Sequence, residues 1–75
     1  MTQPRLLAYG PGALFAEFTS LSDVLAVARR VAAADVPGVI DVVPAARTVL
    51  VTHRGGADRD LLQQLLLAPI DASPD

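Results

Sequence analysis

Few side chains in this chain have types and spacing that suit chemistry. Histidine occurs once, as His53, just ahead of Arg54-Gly55-Gly56. A metal centre needs further ligands at matched spacing, and the sequence holds no second histidine and no cysteine. His53 therefore reads as an ordinary residue at a strand end. The run HRGGADRD, residues 53–60, places two glycines before a helix start, where bare backbone N–H groups can hold an anion. It lacks the longer glycine spacing and the Gly-Lys-Ser/Thr ending of a phosphate-binding loop, and reads instead as a flexible strand-to-helix connection. Gly10-Pro11-Gly12 is too short for a dinucleotide fingerprint and precedes a strand, so it reads as a hairpin turn.

Glu17 and Asp41 are carboxylates inside apolar runs. Were their strands adjacent, the two would approach each other or meet Arg47, which is the spacing an acid/base pair needs. A solvated or ion-paired surface is the simpler reading. Ser20, Ser22 and Ser73 have no nucleophile-elbow setting, and the first two fit helix capping better. Arg47 follows a proline turn, where its planar fork is placed to grip a carboxylate or a partner's carbonyl, or else to sit at the surface ion-paired with a nearby Asp. Pro44 and Arg47 are thus candidate interface residues, and no residue is assigned a catalytic role.

The elements that must position these residues follow from apolar periodicity. RLLAY (residues 5–9) and ALFAEF (residues 13–18) read as two antiparallel strands across the Gly-Pro-Gly turn. Ser20 with Asp23 three residues on makes a capping pair that opens a helix. Leu21, Val24, Leu25, Ala28, Val31 and Ala32 fall on one face of it, with Arg29 and Arg30 off that face. Pro37-Gly38 ends it. In VIDVVPAARTVLV, Pro44 cannot donate to a sheet ladder, which splits the run into strands at 39–43 and 47–53 around a Pro44-Ala45-Ala46 turn. Thr48, Leu50 and Thr52 alternate with Val49, Val51 and His53, giving that strand one drier face. Asp58 caps a second helix, Asp60 sits in its first turn, Leu61, Leu62, Leu65 and Leu66 form its stripe, and Pro69 stops it.

The strand–strand–helix unit occurs twice. It predicts an α+β two-layer sandwich, β-β-α-β-β-α, with four antiparallel strands and two helices on one face. Residues 1–68 form one domain, and residues 69–75 are expected to be a disordered tail. Leu14, Ala16 and Phe18 alternate with Ala13, Phe15 and Glu17, so both sheet faces look apolar. An open antiparallel sheet wetted on one side is more polar there. Phe15 and Phe18 join the candidate interface, and self-association through the sheet is expected.

Bulk composition agrees. The chain has 75 residues, of which 52% are apolar, yet a domain this small buries only about 60–65% of its unfolded surface. The excess should face a partner or a further domain. Net charge is −2, all six basic residues are arginine and there is one tyrosine, which gives nucleic-acid binding no footing. No apolar run reaches the roughly 18–20 residues of a membrane span, and the N-terminus lacks a signal-peptide pattern. The expectation is a cytoplasmic protein.

The pattern Gly10-x-x-Ala13-Leu14, then Pro37-Gly38-Val39-x-x-Val42-Val43-Pro44-Ala45-x-Arg47, then Val49-Leu50-Val51, resembles the N-terminal domain of allophanate hydrolase subunit 1. That family includes proteins that serve as one subunit of a 5-oxoprolinase and the inhibitor of a sporulation histidine kinase. The chain departs from it in having Pro11 where the family usually has Asp, and Ala46-Arg47-Thr48 where it usually has Tyr-Arg-Ser. The resemblance implies the β-β-α-β-β-α fold, a following cyclophilin-like β-barrel domain and a second hydrolase subunit. It also implies that any ATP is used by the full complex in opening 5-oxoproline or hydrolysing allophanate, with no cofactor on this chain. A regulatory module that inhibits a sensor histidine kinase is the alternative. A free-standing small enzyme is a third reading, disfavoured because no polar constellation converges.

Overall fold

The computed structural model describes residues 5–8 and 10–70. Strand β1 (Arg5–Ala8) pairs antiparallel with β2 (Ala13–Glu17), and Gly10–Gly12 forms a single 3-10 turn between them. Gly10 adopts φ +65, a conformation glycine enters without steric penalty. Tyr9, placed in the first strand from sequence, lies outside the described residues. Helix α1 (Leu21–Ala34) follows, then the hairpin of β3 (Val39–Pro44) and β4 (Thr48–His53), then helix α2 (Arg59–Leu67). All four strands form one antiparallel sheet in the order β1-β2-β4-β3. The α+β sandwich is as the periodicity predicts.

Both helix starts are fixed by their caps. Ser20 Oγ accepts from the Asp23 N–H at 3.2 Å, and Asp58 Oδ1 accepts from the Leu61 N–H at 3.0 Å. The Asp23 carboxylate takes a bond from the Thr19 hydroxyl at 3.4 Å, so only half of a capping box forms. Ser20→Ala should cost about 1 kcal/mol, read as a lower urea midpoint. An unchanged midpoint would show that the cap contributes nothing. At the other end of α1, Asp35 takes a left-handed conformation (φ 50), and its N–H donates to the Ala32 carbonyl at 3.2 Å.

The core lies between the helices and one face of the sheet. Leu14, Ala16, Val49 and Val51 rise from the two central strands to meet Val24, Val27, Ala28 and Val31 of α1 and Leu62 and Leu66 of α2. The buried face of α1 is rotated from the expected one. Val27 is buried, while Leu21, Leu25 and Ala32 are exposed. In α2, Leu62 and Leu66 are fully buried and Leu61 is 37% exposed.

The two ββα halves are interleaved. Helix α1, from the first half, packs on β3 and β4 of the second, while α2 packs on β1 and against α1. Each hairpin thus takes cover from the other half's helix, so neither half encloses a core alone.

Three strand boundaries differ from the sequence expectation, the first being β2, which ends at Glu17 and leaves Phe18 beyond it. Pro44 is the last residue of β3, opposite Val49, and is not part of the turn. It is tolerated because β3 is an edge strand, where a missing N–H costs little. Arg47 precedes β4, and its carbonyl accepts from the Phe18 N–H at 2.7 Å, carrying the β2–β4 ladder one residue further. At the C-terminal end, Ile70 packs against the core and the Pro69 carbonyl accepts from Arg30 at 3.1 Å. Residues 71–75 of the expected tail lie outside the described residues.

Candidate functional site

The sheet face away from the helices is built by strict alternation. Burial of Leu14, Ala16, Val49 and Val51 sends Ala13, Phe15, Glu17, Thr48, Leu50 and Thr52 to the other side. The strand register then sets them in three cross-strand rows. The central row runs Leu7, Phe15, Leu50, Val43, one residue from each strand. Arg5, Glu17 and Thr48 flank it on one side, and Ala13, Thr52 and Asp41 on the other. With strands about 4.8 Å apart, the apolar row is roughly 14 Å long. Leu7 and Val43, at its two ends, are 41% and 42% exposed, and Phe15 and Leu50 between them are half-buried.

This is a polar-rimmed apolar band, drier than an open sheet face needs to be but less so than the sequence suggests. Exposed apolar side chains also occur away from it, at Leu21, Leu25 and Leu67 on the helices and at Ile40 on β3.

Of the four interface candidates, Phe15 is on this face. Phe18 is 8% exposed and belongs to the core, since it follows Leu14 and Ala16 on the helix side. Pro44 pairs with buried Val49 and so has the parity of the helix side, at the exposed end of its strand. Arg47 is exposed in the turn beside it. The residues that join Phe15 are Leu7, Leu50 and Val43, which the sequence reading did not single out. Their alternation was legible, but their alignment depends on strand order and register.

The carboxylate pair does not form. Glu17 lies opposite Thr48 and Asp41 opposite Thr52, with β4 between their strands. Thr48 and Thr52 are four positions apart on β4, which separates the two rows by roughly 13 Å along the strand alone. Glu17 instead faces Arg5 directly across the β1–β2 ladder. Asp41 Oδ1 accepts from the Val42 N–H at 3.0 Å.

His53 is 3% exposed, on the helix side of β4. Its Nδ1 lies 2.9 Å from the Arg54 carbonyl, and since a carbonyl only accepts, Nδ1 carries the hydrogen. Nε2 is buried without a hydrogen-bond partner. Among the described residues, no three His, Asp or Glu side chains gather as metal ligands. The Gly55-Gly56 connection is a closed turn, with the Ala57 N–H donating to the Arg54 carbonyl at 3.1 Å and the Arg54 N–H to the Gly38 carbonyl at 2.7 Å.

The described residues thus form a two-layer α+β domain whose distinctive surface is an apolar band on the sheet face away from its helices. Over residues 4–74 it matches the model for the carboxyltransferase domain, subdomain C and D, and it belongs to that family. No curated protein matches the chain. Among the described residues, no helix is long and apolar enough to cross a membrane.

Proposed function

We propose that this chain serves as the N-terminal scaffold and interaction domain of an allophanate hydrolase or ATP-dependent 5-oxoprolinase subunit. It is non-catalytic by itself and works in the cytoplasm. Its task is to dock the cyclophilin-like domain and the second hydrolase subunit, which carry out the ATP-dependent amide chemistry.

The observation that carries this reading is the Leu7–Phe15–Leu50–Val43 row, in a chain whose family match covers nearly all of it. An apolar centre with a polar rim suits a permanent domain contact. Arg5 and Glu17 on one flank and Asp41 on the other would set the orientation of the partner.

The test combines the chain with a separately produced cyclophilin-like domain and the second hydrolase subunit, and follows binding and ATP-dependent opening of 5-oxoproline. Leu50→Lys puts a charge at the centre of the band and should weaken binding about tenfold or more, because an ammonium would have to be desolvated there. Complex formation that Leu50→Lys leaves intact would overturn the proposal. So would turnover of 5-oxoproline or allophanate by the chain alone, or preferential capture of a sensor histidine kinase.

A further inference from the structure

The two edges of the sheet are built differently. At the β3 edge the ladder is irregular between Val39 and Asp41, Pro44 has no N–H to offer, and the N–H of Val42 is already taken by the Asp41 carboxylate. These are devices that stop a further strand from adding. The β1 edge, Arg5–Ala8, carries none of them and has no second neighbour among the described residues. Its sequence, Arg-Leu-Leu-Ala, contains no proline, glycine or acidic residue.

We propose that β1 is a pairing edge for a second copy of this chain, joined antiparallel about a two-fold axis normal to the sheet. Such an axis keeps the helices of both copies on the same side. Residues facing each other must then share a face, so the two paired positions must sum to an even number. The register with Leu7 opposite Leu7 of the second copy meets this condition. It places Leu6 opposite Ala8 and keeps the two Arg5 side chains from facing each other. The register one step away, with Leu6 on the axis, would set Arg5 opposite Leu7 and interrupt the apolar row.

Pairing at Leu7 has two consequences. The central apolar row becomes continuous across eight strands, since Leu7 already ends that row in each copy. Assembly also closes at two, because both β1 edges are consumed and only the blocked β3 edges point outward. This proposal is independent of the hydrolase reading, because it uses the sheet's edge where that reading uses its face.

The experiment is sedimentation velocity on the full chain across a concentration series, with Leu7→Lys and Leu7→Glu variants whose folding is verified by circular dichroism. The wild-type chain should show a monomer–dimer equilibrium with no larger species. Each variant alone sets like charges opposite one another on the axis and should raise the dissociation constant about tenfold or more. An equimolar mixture of the two variants should restore the dimer, since lysine then faces glutamate. A wild-type chain that stays monomeric at millimolar concentration would overturn the proposal. So would a dimer indifferent to the Leu7 charges, or a mixture no tighter than its components. A Leu7→Glu dimer stronger than wild type would reject this register, because it would place Leu7 opposite Arg5.

Discussion

Replacing Gly38 with alanine should remove about 3 kcal/mol of folding stability, from two sources that add. Gly38 has φ +92, which costs an L-residue roughly 1–2 kcal/mol. A Cβ built there would also lie 2.9 Å from Ala57 Cβ and 3.1 Å from Ala57 Cα, closer than side-chain carbons pack. Overpacking of this kind typically costs about 1–3 kcal/mol. Neither side can easily retreat. The Gly38 carbonyl accepts from the Arg54 N–H at 2.7 Å, and the Ala57 N–H is held by the Arg54 carbonyl, so the two connections are tied together. A domain of this size has only roughly 4–11 kcal/mol to lose. Urea denaturation should show the midpoint falling steeply. Adding Ala57→Gly should relieve the 2.9 Å contact with Cβ, but neither the 3.1 Å approach to Cα nor the backbone cost. A loss under about 1 kcal/mol would mean that the backbone at residue 38 is not held as described. The same contact gives the Pro37-Gly38 element of the family pattern a physical reason.

Truncating Arg30 to alanine should cost about 2–3 kcal/mol, since its hydrogen bonds are charge-assisted and partly buried. Its Nη1 donates to the carbonyls of Leu65 at 2.8 Å and Ala68 at 2.9 Å, and Nη2 donates to Pro69 at 3.1 Å. One guanidinium therefore closes the end of α2, where unpaired carbonyls and the negative end of the helix dipole favour a cation. The same guanidinium holds the Pro69 carbonyl, and Ile70 beside it packs against the core. The midpoint of thermal unfolding should fall by roughly 10–20 °C, the scale expected for a domain this small. Arg30→Lys should restore less than half of the loss, because a single ammonium cannot fork across three carbonyls. Hydrogen exchange should localise the damage to the last turn of α2, including the Ala68 amide. Full recovery by lysine would show that charge alone matters and would count against the geometric account.

What the sequence made legible was local. The caps at Ser20 and Asp58 read correctly because each acts on an amide three residues away. That a hairpin falls in this apolar run was legible from its proline, but the turn was placed one residue early, because Pro44 ends edge strand β3 opposite Val49. The alternation of Val49, Val51 and His53 with Thr48, Leu50 and Thr52 gave the two faces of β4 directly. What failed depends on contacts between distant residues. The stripe on α1 was misplaced because Leu21 and Leu25 are good core residues by type. Val27 is buried in their stead through the seat α1 takes over β3 and β4. Phe18 was grouped with Phe15 by chemistry, although opposite parity sends them to opposite faces. Arg30 carried no motif, since its partners lie 35 to 39 positions further on. The Leu7–Phe15–Leu50–Val43 row required the strand order β1-β2-β4-β3, which no short stretch encodes.

Under the proposed function, the sheet face away from the helices is the surface through which this carboxyltransferase-family domain docks its partner domain. Amide chemical-shift mapping of the isotope-labelled chain, titrated with the cyclophilin-like domain, tests it most directly. The account predicts saturable shifts concentrated at Leu7, Phe15, Leu50 and Val43 and at their flanking neighbours Glu17, Thr48 and Thr52, with α1 and α2 unmoved. Shifts confined to the helices, or none at saturating concentration, would contradict it.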